Sequence, residues 1–427
     1  MSSGDSERTL AMVRTMLDRA HLATTGQIPD AVQEAARTLG WTAVLYLVDH
    51  EQRLLLPSPV TGLPPRRPLA VDTTLAGRCF RTMEPTPSPA GVAGVWLPVV
   101  DGADRLGVLE VTVPEGPDLD DELFLDRCRM LSHLCGHLVA AKSPYGDGLD
   151  HLRRLRSRTV ASELLHQALP PLSFACEGLV ISCLLQPAYD VAADAFDYGV
   201  GDDTAHLMVL DATGHDLEGT ILATLALAAY RNNRRNGQGL AESVPVIDRL
   251  IAEHGRGERF ATGVLAELDL STGRLRYLNA GHPAPLLMRE GRVVKELDEG
   301  HRVLFGLGQG EVTLAEEWLQ PGDRIVLYTD GVVEARDDGG EFLGQERLEE
   351  LLQKAAAAGL PAPETLRRIV HDVLARQGGV LQDDATLLIA EWASTREHTF
   401  SAVGGVSQHD LSPHDQTGGE NGHSLRR

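Results

Sequence analysis

Apolar and polar positions alternate along the first 142 residues in a way that predicts an α/β domain. Apolar residues recur at helical spacing over Leu10–Leu22 and Pro29–Leu39, and a long closing helix is predicted over Asp120–Ala141. Between these helices, β-branched apolar runs and turn residues predict strands at Thr42–Val48 and Arg53–Leu56, a short helix at Thr74–Thr82, and a hairpin of Val95–Val100 with Leu106–Val113. We therefore expect a first domain over residues 10–142.

A single connecting helix is predicted after this domain, in a linker region at residues 143–161. The helical pattern starts at Leu149, runs to Leu169 and stops at Pro170-Pro171. Its leucines form an apolar stripe at Leu149, Leu152 and Leu155. We expect this helix to be the only ordered connection between two domains, and its stripe to support a parallel homodimer.

Residues 162–393 show a mixed pattern of strands and helices that predicts a second domain of the α+β class. The predicted strands are Leu179–Leu185, Ala205–Leu210, Val264–Leu270, Arg274–Asn279, Pro285–Met288, Val293–Leu297, Arg324–Thr329 and Ala385–Trp392. The predicted helices are Leu217–Asn236, one starting near Ser243, Gln345–Ala357 and Glu364–Arg376. Residues 394–427 are rich in Ser, Gly, His and charge, and are expected to be disordered.

Composition narrows the class of protein. The chain has 39 Lys plus Arg against 61 Asp plus Glu, a formal charge of −22, which argues against a nucleic-acid binder. Its five cysteines form no Cys-x-x-Cys pair, as expected in a reducing compartment. The first residues lack an apolar signal core, and the longest apolar helix candidate, at residues 221–230, is too short to cross a bilayer. We therefore expect a cytoplasmic protein that does not bind membranes.

Four acidic segments stand out because three of them lie at the ends of predicted strands. They are residues 190–197, 209–215, 328–331 and 382–386, and they contain Asp194, Asp211, Asp330 and Asp383. Carboxylates that converge repel one another unless protons or cations lie between them. Their hard oxygen ligands suit Mg²⁺ or Mn²⁺. The sequence thus predicts a divalent-metal site.

The order and spacing of these segments resemble the metal-dependent protein serine/threonine phosphatases, in the bacterial branch typified by stage II sporulation protein E and the phosphatases of sigma-factor partner switching. Two further motifs agree with that branch. One is Asn-Ala-Gly-His-Pro at residues 279–283, and the other is the run from Leu319 through Pro321-Gly322-Asp323 into Thr329-Asp330-Gly331. The resemblance extends from about Ser162 to Trp392. The element order of residues 10–142 is similar to that of GAF-type sensor domains.

This resemblance implies a four-layer αββα sandwich that binds two Mn²⁺ or Mg²⁺ ions. It also implies that Asp211 bridges the two ions, that the Ala212 carbonyl is a further ligand, and that Asp330 and Asp383 complete one coordination shell. Asp194 would bind metal or orient its waters, whereas Asp197 and Asp384 are expected outside the ligand set. The implied substrate is a phosphoserine or phosphothreonine on a regulator such as an anti-sigma-factor antagonist, and the sensor domain would take a small-molecule ligand.

Two departures from the family pattern leave an alternative open. Ala192-Ala193 replaces the usual Gly-Gly before the first aspartate, and Asp216 replaces the glycine after Gly214-His215. Asp216 either adds negative charge near the site or caps the helix that follows. The competing hypotheses are a weakly active or inactive phosphatase fold that only binds a partner, and a ligand-sensing scaffold dominated by the first domain.

Overall fold

The N-terminal domain is built on one antiparallel sheet. The computed structural model describes residues 3–190, 193–214, 216–308, 312–337, 339–379 and 381–394, so the predicted disordered tail, except for Ser394, lies outside the described residues. The elements of this domain are α1 (Ser3–His21), α2 (Ile28–Thr38), β1 (Thr42–Val48), β2 (Leu54–Pro57), β3 (Leu69–Ala70), α3 (Leu75–Thr82), β4 (Thr86–Pro87), β5 (Gly94–Asp101), β6 (Asp104–Thr112) and α4 (Glu122–Lys142). The strand order is β3-β2-β1-β6-β5-β4.

Both faces of this sheet are covered, which explains why β1 is apolar at nearly every position. Successive side chains of a strand point to opposite faces. Leu45 and Leu47 accordingly pack with α1, α2 and α4, whereas Val44 and Tyr46 pack with α3 on the other face. The predicted α/β architecture is confirmed, and it is consistent with the GAF-type assignment, which stays a prediction.

The predicted continuous linker helix is wrong. The structure has two helices in its place, α5 (Gly148–Arg153) and α6 (Val160–Ala168), separated by extended backbone. The break has a local cause. The Thr159 side chain accepts a hydrogen bond from the Ser162 backbone N–H and caps a new helix, while Arg154 has extended backbone angles.

The apolar stripe on this segment does not form a free surface. Leu149 is buried, and Leu152 packs beside it against the N-terminal core under α4, whereas Leu155 lies past the end of α5 and is exposed. The parallel pairing predicted along these three leucines is thus wrong, because Leu149 and Leu152 pack against the core of their own domain.

The C-terminal domain contains two sheets. Its elements are β7 (Ser173–Cys176), β8 (Leu179–Gln186), β9 (Asp194–Val200), β10 (Thr204–Ala212), α7 (Leu217–Arg235), α8 (Leu240–His254), β11 (Ala261–Asp269), β12 (Arg274–Ala280), β13 (Leu286–Arg289), β14 (Arg292–Glu296), β15 (Ala315–Trp318), β16 (Arg324–Tyr328), α9 (Asp330–Val333), α10 (Gln345–Ala357), α11 (Ala362–Arg376) and β17 (Ala385–Trp392). The sheet orders are β15-β12-β11-β10-β9 and β14-β13-β16-β17-β8-β7.

The two sheets face each other between two helix layers. In β16, Ile325 and Leu327 point into the core shared with β10 and α7, whereas Val326 and Tyr328 point to the core under α10 and α11. The predicted four-layer αββα sandwich is confirmed. None of the helices in the described part of the chain is long and apolar enough to span a membrane.

The two domains also touch directly, so the expectation that a linker helix is their only ordered connection is wrong. Arg105 on β6 donates to Glu364 on α11 at 3.1 Å, and Arg367 donates to the same carboxylate at 2.9 and 3.0 Å. Arg367 also pairs with Asp72 of the N-terminal domain at 2.6 Å. We call these four residues the interdomain ion network. Its inner three side chains are at most 3% exposed.

Candidate active site

The four acidic segments meet at one end of the two facing sheets. Asp194 begins β9 and lies opposite Asp211 near the end of β10. Asp330 begins α9, two residues after β16 ends, and Asp383 lies two residues before β17 begins. Strand ends hold these acids in place because the neighbouring strands are paired along their length. The four acidic segments thus lie at neighbouring strand ends, and the metal-binding role of their aspartates stays a prediction.

Asp194 is the most firmly held of these carboxylates. One of its oxygens, Oδ2, accepts hydrogen bonds from the hydroxyls of Thr329 and Thr386, each at 2.7 Å. These threonines come from β17 and from the end of β16, in the sheet opposite Asp194. The two sheets are thus joined at the site by a buried carboxylate, which leaves its other oxygen, Oδ1, as the atom for a further ligand.

Asp384 joins the same two sheets through the backbone. Its Oδ2 accepts from the N–H groups of Ala193 and Asp194, at 2.9 and 3.3 Å. Asp383 accepts the Asp384 N–H at 2.8 Å. Asp197 is buried further along β9, where it pairs with Arg231 and Arg234. Both Asp384 and Asp197 therefore have structural partners, as expected for acids outside the ligand set.

We call Asp194, Asp211, Asp330 and Asp383 the acidic cluster, and the charges of its members help to raise the pKa of the first three. Burial, and then the nearby Asp330, Asp383 and Asp384, raise the pKa of Asp211 to about 7. Burial and the Asp211 charge raise the pKa of Asp194 well above its ordinary value. Burial and the Asp383 charge also raise the pKa of Asp330. These shifts have the sign expected for carboxylates that share a site without enough positive charge.

The donor set fits a hard divalent cation. Carboxylate oxygens are the ligands that Mg²⁺ and Mn²⁺ prefer, and a cation between them would relieve the repulsion just described. Among the described residues, however, no three His, Cys, Asp or Glu side chains are close enough to form a ready-made metal-binding group. Asp194, Asp211, Asp330 and Asp383 would hold the ions, and the role of the Ala212 carbonyl stays a prediction.

Two of the residues that depart from the family pattern, Asp216 and Ala193, are accommodated. Asp216 caps α7 by accepting the Gly219 N–H at 3.0 Å, and Arg259 pairs with its carboxylate at 2.8 Å. Its charge is thus compensated. Ala193 is buried, and its methyl group faces Gly219, which leaves room for it. Ala192 and His215 lie outside the described residues.

The loop at residues 279–283, which leads from β12 in one sheet to β13 in the other, supports the strand beside Asp211. The Asn279 side chain accepts the His282 N–H at 2.7 Å and donates to the His282 carbonyl at 2.8 Å. The His282 Nδ1 lies 2.7 Å from the hydroxyl of Thr262, which is paired with Asp211 across β10 and β11. This loop therefore helps to hold the strand that pairs with Asp211, without contributing a carboxylate.

Gly331 allows the two acidic loops to approach each other. A Cβ atom built at this position would lie 1.9 Å from the Asp384 carbonyl oxygen. Gly331→Ala should separate Asp330 from Asp383 and weaken Mn²⁺ binding about ten- to a hundredfold, measured by isothermal titration calorimetry. Gly26→Ala, where the added methyl meets nothing within 4 Å, is the control. Unchanged Mn²⁺ affinity in Gly331→Ala would contradict the assignment.

The sequence did not predict the two threonine partners of Asp194, nor the groove beside Asp383 that both domains line. Thr329 and Thr386 are adjacent to motif aspartates, and a hydroxyl beside a buried strand end was the available signal. Arg53 and Arg156, described below, approach the site from outside residues 162–393, and no local pattern could have placed them there.

Comparison with known proteins finds similar sequences. Residues 201–393 match the protein-family model described as Stage II sporulation protein E (SpoIIE). The chain is 24% identical over 272 residues to protein IcfG of Synechocystis, covering 57% of this chain and 42% of that protein. It is 23% identical over 215 residues to phosphoserine phosphatase RsbU of Bacillus subtilis, covering 50% of this chain and 63% of that one.

A solved structure is similar to part of this chain. The SiaA-PP2C domain of Pseudomonas aeruginosa is 24% identical, with a TM-score of 0.47, over 59% of this chain and 99% of that chain. By contrast, this chain spans less than two thirds of the length of the two curated relatives named above.

Proposed function

Residues 201–393 form a domain of the Stage II sporulation protein E family, and from this premise we propose that the protein is a Mg²⁺- or Mn²⁺-dependent phosphoserine/phosphothreonine protein phosphatase. The observation that carries the proposal is the position of Asp194, Asp211, Asp330 and Asp383 at neighbouring strand ends, where burial and the neighbouring acids raise the pKa of Asp194, Asp211 and Asp330. A phosphatase of similar sequence, RsbU, is named for the same reaction class.

In this mechanism each carboxylate has a distinct task. Two divalent ions, when bound, would lower the pKa of the attacking water and neutralise the phosphoryl oxygens. Asp211 lies among the other acids and would be shared by both ions. Asp330 and Asp383 would fix one of them from two loops that Gly331 brings together. Asp194 is oriented by its two threonine hydroxyls, so that its remaining oxygen points to a defined place.

The proposed substrate is a phosphorylated bacterial regulator of the anti-sigma-factor antagonist type, and the N-terminal domain is proposed to regulate turnover in response to a small molecule. The support for the substrate is the match to SpoIIE and RsbU. The support for regulation is the direct contact between the two domains through the interdomain ion network.

The test is hydrolysis of para-nitrophenyl phosphate and of a phosphoserine peptide by the full chain. We expect turnover of both with 2 equivalents or more of Mn²⁺ and loss of at least a hundredfold in EDTA. Re-addition of Mn²⁺ should restore the rate. Equal rates in EDTA would contradict the proposal, and no turnover of either substrate with Mn²⁺ or Mg²⁺ would favour the binding-module alternative.

A further inference from the structure

A turn of the N-terminal domain is pinned against the catalytic domain. Three successive carbonyl groups of this turn, those of His50, Glu51 and Gln52, face side chains of the C-terminal domain. Gln186 donates to the first at 3.1 Å, His371 Nε2 lies 3.0 Å from the second, and Arg367 reaches the third at 3.4 Å. The turn between β1 and β2 therefore has a fixed position on the catalytic surface.

The turn is also rigid within its own domain. The Asp49 carboxylate accepts the backbone N–H groups of Glu51 and Arg53, at 3.1 and 2.8 Å, and also that of Leu54. Such side-chain-to-backbone bonds define turn geometry locally. The interdomain ion network holds the same region from the α11 side. The backbone of Glu51 and Arg53 is thus held in one position on the surface of the C-terminal domain.

Glu51 and Arg53 line a groove beside the acidic cluster. The groove has a volume of about 210 Å³ and is lined by both domains and by the linker, including Glu51, Arg53, Arg156, Asp190, Asp383 and Asp384. Asp383 is the carboxylate whose charge raises the pKa of Asp330 and of Asp211. One wall of the groove that reaches Asp383 is therefore made by the N-terminal domain.

The two arginines in this groove differ in how far their charges are compensated. Arg156 pairs closely with Glu51, and its guanidinium lies 4.9 Å from the centre of the Tyr189 ring. Arg53 approaches the same carboxylate only to 3.9 Å, at the limit for an ion pair, and its side chain is 46% exposed. Since Glu51 is shared, Arg53 is the less compensated of the two arginines, in a groove that Asp190, Asp383 and Asp384 also line.

We propose that this groove is the docking site for the residues that flank the phosphoserine, and that Arg53 selects substrates with an acidic side chain next to it. The inference rests on the proposed phosphatase function. With the phosphate at the metal-binding acids, an extended segment places residues two or three positions away along the groove, at about 3.3–3.6 Å per residue. A carboxylate there would pair with the Arg53 guanidinium. The N-terminal domain thereby takes part in substrate recognition.

The experiment compares two phosphoserine peptides that differ only in their flanks, one with glutamates and one with alanines at the three positions on either side. For the wild-type full chain with Mn²⁺, we expect a KM about tenfold lower for the glutamate peptide. Arg53→Gln should raise the KM for the glutamate peptide about tenfold and that for the alanine peptide less than twofold. Arg53→Glu should invert the preference. Arg14→Gln, an exposed arginine on α1, is the matched control and should behave as wild type.

Docking is also measured without turnover, by fluorescence anisotropy with the unphosphorylated forms of both peptides. Tighter binding of the glutamate peptide to wild type, lost in Arg53→Gln, supports the docking site even if no phosphate is released, in which case only the proposed phosphatase function fails. Equal KM values and equal binding of the two peptides by wild type would overturn the proposal. So would an Arg53→Gln variant that weakens both peptides equally.

Discussion

Asp211→Asn is expected to lower phosphatase activity by a hundredfold or more. The carboxylate lies among three other acids and is the group that two ions would share, so the amide removes a full negative charge from both. Losses of several kcal/mol of transition-state stabilisation are typical when a catalytic metal loses such a ligand, and about 1.4 kcal/mol corresponds to tenfold in rate. Turnover of para-nitrophenyl phosphate with Mn²⁺ is the measurement, and Asp298→Asn, an exposed acid, is the control.

The same variant should be more stable than wild type when metal is removed. The folded-state pKa of Asp211 is raised from 3.8 to about 7, so the ionised carboxylate disfavours the folded state. The penalty grows as pH rises from about 4 to 7, is complete above pH 7, and is absent when both states are protonated. In EDTA, Asp211→Asn should therefore gain most in thermal midpoint at pH 8 and least at pH 5. A loss of stability at pH 8 would show that the carboxylate is compensated by other groups.

Glu364→Gln is expected to destabilise the protein by about 3–5 kcal/mol, which is the usual cost of removing one partner from a buried ion pair. Glu364 is fully buried and accepts from Arg105, Arg367 and Arg368. Without its charge, the guanidinium groups of Arg105 and Arg367 would face each other away from water. The contact between the two domains should weaken as well as the packing of α11.

Two measurements check this expectation: the thermal midpoint, and the rate at which trypsin cuts the linker between residues 153 and 160. Both should change in Glu364→Gln. Glu350→Gln, which breaks the exposed Arg347–Glu350 pair on α10, should change stability by less than about 1 kcal/mol. If the two variants lose equal stability, the interdomain ion network does not fasten the domains.

Local patterns in the sequence predicted most of the elements but not all of them. Most helices and strands with a clear apolar period were predicted within a few residues, but α1 starts at Ser3 rather than at the predicted Leu10. β9 was missed because its aspartates read as a polar loop, whereas in the structure Asp197 is neutralised by two arginines of α7. The linker helix was predicted too long because the leucine spacing outweighed the capping signal of Thr159.

Asp211, Asp330 and Asp383 could be singled out because each lies at or next to the end of a predicted strand, whereas Asp194 was singled out only by the resemblance to the phosphatase family. Their support was not predictable, since it depends on contacts between residues far apart in sequence. Thr329 and Thr386 reach Asp194 from 135 and 192 residues away. Arg105 and Glu364 are separated by 259 residues, and nothing in either segment indicates the other. Such pairs become visible only when the chain is folded.

The interdomain ion network also limits which N-terminal domains could replace the one found beside this C-terminal domain. An apolar interface would tolerate many partners of roughly the right shape, whereas a buried carboxylate between arginines must be matched charge for charge. A transplanted domain lacking an arginine at the position of Arg105 would leave Glu364 short of one partner, and one lacking an acid at Asp72 would leave Arg367 in excess. Exchange of either domain is therefore expected to succeed only when the incoming domain supplies charges that match those left in the other domain.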